Sequence, residues 1–86
     1  MIKEGFVLRR MPGMNLIMPA GEKVKEFKGA LMLNDTGALI FEGIKNGKEI
    51  GDIARQLTDE YDVSIEAAMS DVKKTVDSFK EAGVME

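Results

Sequence analysis

The chain has 86 residues, of which 44% are apolar and 31% charged, and a formal net charge of −3. That length and balance suit one small globular domain spanning residues 1–86, with a modest core. Cysteine and histidine are both absent, which excludes disulfides, thiol catalysis and the usual transition-metal sites. The N-terminus lacks an apolar signal core and no run approaches membrane-spanning length. A cytoplasmic protein without membrane contact is therefore expected.

In chain order, Phe6 to Met11 reads as a strand, bounded by Gly5 and by Pro12-Gly13. Proline fixes φ at the second position of a turn and glycine accepts the positive φ of the third. Met11 to Met14 is therefore a type II turn candidate, with a looser connection as the alternative. Asn15 to Met18 is the returning strand, closed by Pro19. The lysine-rich run Ala20 to Lys28, with Val24 and Phe27 as its large apolar residues, is a connection with room for a turn of helix.

The stretch Gly29 to Phe41 organises the rest. Ala30 to Leu33 is a third strand that runs straight into Asn34-Asp35-Thr36, whose side-chain oxygens suit the free N–H groups of a new helix. A first helix is expected from about Asp35 to Lys45, ended by Asn46-Gly47. A second runs from about Glu49 to Tyr61, with Ile50, Ile53, Ala54, Leu57 and Tyr61 as one buried stripe. Its start is weak, because Glu49 is a poor cap and Gly51 costs roughly 1 kcal/mol against alanine. Ser64 caps a third helix and Gly83 stops it, with Ile65, Ala68, Met69, Val72, Val76 and Phe79 as its apolar stripe. Strands followed by helices with tight turns predict a small α+β domain, winged helix-turn-helix-like, with the wing at the N-terminus.

The chemistry-bearing residues do not form an active site. Ser64 is accounted for by capping, and no serine or threonine has a histidine to activate it. Adjacent carboxylates such as Asp59-Glu60 diverge by about 100° on a helix and do not face one site. The nine glycines are scattered at turns and helix ends rather than gathered in a phosphate-binding loop. A binding protein, with neither catalysis, metal nor cofactor, is the expectation.

Charge is unevenly placed. Residues 1–34 carry six basic and three acidic side chains, a net +3, and residues 35–86 carry six basic and twelve acidic, a net −6. This is either a solvated surface of mixed sign or a basic sheet that attracts an acidic ligand. A winged-helix DNA-binding module is the alternative function, beside a small protein-interaction module. The acidic helical half argues against DNA, since acids at 71, 77 and 81 offset Lys73, Lys74 and Lys80. Four of the seven methionines (Met11, Met14, Met18 and Met32) lie between Phe6 and Leu33, the span of the expected strands. They either fill gaps in a core or form a surface that accepts apolar partners.

Several segments together carry a family likeness: Met18-Pro19-Ala20-Gly21-Glu22, Phe27 through Gly37, Glu60-Tyr61-Asp62-Val63, Asp71-Val72, and the closing Glu81-Ala82-Gly83-Val84. In this order they resemble the PqqD-like family of leader-peptide-binding domains, also called RiPP recognition elements. The resemblance implies a three-stranded antiparallel sheet packed on a three-helix bundle. It also implies a cytoplasmic peptide chaperone that captures the leader of a ribosomally made precursor and presents it to a modifying enzyme, often a radical-SAM protein. By matching position, the leader would add as a strand beside Gly29, Ala30, Leu31, Met32 and Leu33. Its apolar side chains would enter a cleft near Met69, Val72, Lys73 and Val76, with Val72 belonging either to the cleft or to the core. Two positions depart from the family pattern: Phe41 stands where tryptophan is frequent, and Glu49-Ile50-Gly51 where a threonine or serine cap is usual. An open strand edge is independently a site for strand addition. It is also a site at which two copies pair, so a monomer or an edge-paired dimer is expected.

Overall fold

The computed structural model describes residues 1–26 and 29–86. The connection read across Phe27 and Lys28, and their part in the family motif, lie outside the described residues. Three strands, β1 (Phe6–Met11), β2 (Met14–Pro19) and β3 (Leu31–Leu33), form an antiparallel sheet in the order β1-β2-β3. Pro12 and Gly13 close the β1–β2 hairpin tightly, with Met11 opposite Met14 and Gly13 at φ +74°. A one-turn helix, α1 (Lys23–Glu26), occupies the connection to β3. Helices α2 (Asp35–Lys45), α3 (Ile50–Glu60) and α4 (Ile65–Ala82) follow.

The helix ends obey local chemistry. The Asn34 side chain accepts a 2.7 Å hydrogen bond from the Gly37 N–H, and the Ser64 hydroxyl accepts one from Ala67 N–H at 3.1 Å. Glu49 gives α3 no side-chain cap, as expected of it, yet the helix still begins at Ile50. At the end of α4, Gly83 takes φ +83°, a left-handed conformation that L side chains resist. The Val84 N–H then bonds to Phe79 O and the Gly83 N–H to Lys80 O, the paired pattern of a Schellman stop. The same pattern closes α2, where Lys48 and Gly47 donate to Gly43 and Ile44.

The core lies between one face of the sheet and the three long helices. Ile17, Ile40, Phe41, Ile53, Leu57, Val72 and Phe79 are buried there, with Phe41 and Phe79 meeting edge to face at 5.8 Å between centroids. The predicted helical stripes are too long. Ile50, Tyr61 and Ile65 are exposed, because they stand at the ends of α3 and α4, where each stripe runs off the packed interface. The chain ends also close on each other. Ile2 bridges to Met85, the Lys3 N–H bonds to Val84 O at 2.9 Å, and Ile2 is buried.

Strand alternation sorts the sheet residues cleanly. Phe6, Leu8, Ile17, Leu31 and Leu33 face the helices. On the outward face Val7 lies opposite Met18, Leu16 stands between Arg9 and Met32, and Met11 lies opposite Met14.

Candidate functional site

β3 pairs with β2 alone and ends the sheet order, so its other edge has no strand partner among the described residues. A strand of three residues with a free edge leaves backbone N–H and C=O groups available for pairing. Leu31 and Leu33 are half-buried against the core, as the alternation predicts, and Met32 is 67% exposed between them. Gly29 and Ala30 lie exposed just before the strand, which begins at Leu31 rather than Ala30.

Beside that edge is a groove of about 290 Å³, lined by Leu31, Met32, Leu33 and Asn34 on one side and by Thr75, Ser78 and Phe79 of α4 on the other. A smaller recess of about 110 Å³ lies further toward the start of α4, among Thr36, Leu57, Tyr61, Val63 and Asp71. Asp71, Thr75 and Ser78 fall at i, i+4 and i+7, which places them along one side of α4. Phe79 is fully buried and forms the apolar floor. Among the described residues no charged side chain lines the groove itself.

On the helical side, the residues expected at the cleft lie at different depths. Val72 has no exposed surface and belongs to the core cluster, which resolves its two readings in favour of the core. Val76 is 7% exposed and borders a different groove, with Met1, Ile44, Ile50 and Met85 near the chain ends. Met69 is half-buried against the core and Lys73 is exposed, and neither lines the groove beside β3. The physical reason is rotation about the helix axis. A stripe selected for hydrophobicity identifies the face that meets the core, whereas a groove wall is the flank next to it, here Thr75 and Ser78. Helical spacing from Asp71 reaches that flank, but its polar residues carry no apolar signal.

In the sequence Asn15 is an ordinary strand residue, and the structure gives it a positioning role. It is 3% exposed, and its Nδ2 donates to Asp35 Oδ1 at 2.9 Å and to Leu33 O at 3.3 Å. One amide thus ties β2 to the last residue of β3 and to the first turn of α2, holding the strand–helix corner that carries the free edge. Asn15→Ala is expected to lower unfolding free energy by about 1–3 kcal/mol in urea titrations, because the two acceptors lose their donor in a partly buried site.

A polar cleft of about 430 Å³ lies elsewhere, bordered by Arg10, Glu42, Lys48, Gln56 and Glu60. Two side-chain pairs are joined within it. Arg10 Nε donates to Glu42 Oε1 at 2.7 Å, a hydrogen bond that holds the guanidinium pKa above its ordinary value, and Lys48 Nζ donates to Gln56 at 3.2 Å. Both members of the ion pair are about half exposed, so it reads as a solvated surface contact. No group of three or more acidic residues among the described residues is arranged to hold a metal. No helix among them is long and apolar enough to cross a membrane.

Comparison with known proteins gives this geometry a context. No curated protein matches the chain. Among solved structures, one described as "TbiB1 in Complex with the TbiA(beta) Leader Peptide" superposes with a TM-score of 0.79 at 15% identity, over 99% of this chain and 93% of that one. That likeness is one of fold. A second, "Lasso peptide synthetase B1 complexed with the leader peptide", superposes with a TM-score of 0.78 at 26% identity, over 96% of this chain and 92% of its own. The family model described as "Coenzyme PQQ synthesis protein D (PqqD)" matches residues 16–85, from the middle of β2 to the C-terminal segment. With the sheet, the helices and that match in agreement, the chain belongs to the PqqD family.

Proposed function

We propose that this chain is a non-catalytic peptide chaperone. It captures the leader of a ribosomally made precursor by adding it as a strand to the free edge of β3, and presents the precursor to a modifying enzyme of the radical-SAM kind. The observation that carries this reading is the edge of Leu31–Leu33, unpaired among the described residues, beside a groove with an apolar floor. Membership of the PqqD family supports it, as do two similar structures whose descriptions name a bound leader peptide.

In this reading the backbone from Gly29 to Leu33 pairs with the leader, and alternate leader side chains enter the groove between β3 and the Thr75–Ser78 flank of α4. Of the helical residues first expected at the cleft, Val72 and Val76 support that flank from the core. Each apolar side chain buried in the groove stabilises the complex by roughly 1.5–3 kcal/mol before the cost of ordering the peptide. Two or three such anchors, with the strand hydrogen bonds, suffice for micromolar binding. The chain acts in the cytoplasm, as one domain and without a cofactor.

The test is a titration of the chain with the leader segment of a precursor peptide from the same source. Saturable one-to-one binding at micromolar concentration or below is expected, with slowed amide exchange at Leu31–Leu33. Absence of saturable binding, or protection confined to β1, would sink the proposal.

A further inference from the structure

The four methionines of the three strands all fall on one surface. Met11, Met14, Met18 and Met32 share the outward face of the sheet with Val7 and Leu16. Met11, Met14 and Val7 are each about 40% exposed, and Met32 more so. An antiparallel sheet with one face in the core normally presents polar residues on the other. Among the described residues Arg9 is the one charged residue of that face, and it has no ion pair there. Methionine suits such a surface, since an unbranched, polarisable side chain adapts to an apolar partner.

A second copy of the chain is a poor occupant. At about 3.3 Å per residue and 4.8 Å between strands, the face covers on the order of 250 Å². Two copies stacked face to face bury on the order of 500 Å², under half of the roughly 1,200 Å² at which stable interfaces begin. The occupant must therefore gain area beyond the sheet, and Met32 shows where. It stands on the outward face and also borders the groove beside β3. A strand docked there continues the pleat, so every second leader side chain joins Met32 on the outward face.

We infer that the outward face of the sheet, extended by the outward side chains of the docked leader, is the surface on which the enzyme acting on the precursor sits. The enzyme's matching patch is apolar and places a carboxylate opposite Arg9. This rests on the leader-binding reading and adds a coupling to it: the enzyme recognises the loaded chain better than the empty one. By linkage, enzyme and leader then tighten each other's binding by the same factor.

The experiment measures affinity for the enzyme that modifies the same precursor, with and without saturating leader. The leader is expected to tighten enzyme binding about tenfold, a coupling of about 1.4 kcal/mol. Val7→Glu, Met14→Glu and the milder Arg9→Ala are each expected to weaken enzyme binding to the loaded chain, the two glutamates about tenfold or more. Leader affinity should stay within about twofold, because these side chains stand away from the β3 edge. If the variants bind leader and enzyme as the unaltered chain does, the docking surface is refuted and the leader reading stands. If Met14→Glu instead turns a dimer into a monomer, the face joins two copies and the inference fails. A chain that does not bind leader at all overturns both.

Discussion

Val72→Asp is expected to unfold the protein rather than merely to empty a binding cleft. Val72 is completely buried on α4 within the core cluster that also holds Ile53, Leu57 and Phe79. Placing an ionised carboxylate there, with no partner, costs several kcal/mol in desolvation alone, and valine packing is lost as well. Small domains have roughly 5–15 kcal/mol of stability in total, so most or all of it goes. Circular dichroism at neutral pH should show a collapsed or absent unfolding transition. The carboxyl is easier to bury protonated, which raises its folded-state pKa above the unfolded value. The deficit relative to the unaltered chain therefore shrinks as pH falls through that raised pKa. Val72→Ala, which removes apolar volume without adding charge, should cost about 2 kcal/mol and retain leader binding. A Val72→Asp protein that unfolds near the wild-type midpoint, yet no longer binds leader, would return Val72 to the cleft wall.

The second large effect concerns the edge itself. Met32→Pro removes a backbone N–H from the middle of β3 and bends the strand, while Met32→Ala leaves the ladder intact. Losing two strand hydrogen bonds and the register of one anchor removes about 3 kcal/mol of binding free energy. Leader affinity should then fall about a hundredfold for Met32→Pro, and only a few-fold for Met32→Ala. Ser78→Phe approaches the same site from α4. Its ring fills the groove without touching the β3 backbone, and leader binding should be lost while the melting curve stays close to wild type. Folded Met32→Pro protein that binds leader undiminished would show that the peptide docks elsewhere.

These expectations differ from those the sequence alone supports, and the difference lies in what local chemistry can specify. Asn34, Ser64, Gly47 and Gly83 mark helix ends through hydrogen bonds or a backbone conformation contained within a few residues. Their positions are therefore legible without a fold. Pro12-Gly13 likewise specifies its hairpin, and the alternation of Leu31, Met32 and Leu33 specifies which side chains turn inward. A strand joined directly to a helix leaves a free edge on β3 open as one arrangement, and the family resemblance points to the same stretch.

Only the tertiary structure decided what each face meets. Hydrophobic spacing on α4 identified residues that avoid water, and it does not distinguish a core residue such as Val72 from a groove wall. That distinction depends on how far α4 is rotated and set apart from β3, leaving Thr75 and Ser78 beside the edge. The bond from Asn15 to Asp35 joins residues twenty positions apart. The contact of Ile2 with Met85 spans nearly the whole chain. Neither has a local signature. The strand methionines were open to either reading because one sequence period serves both sides of a pleat. Pairing with β2 and packing of the helices on the opposite face turned all four outward.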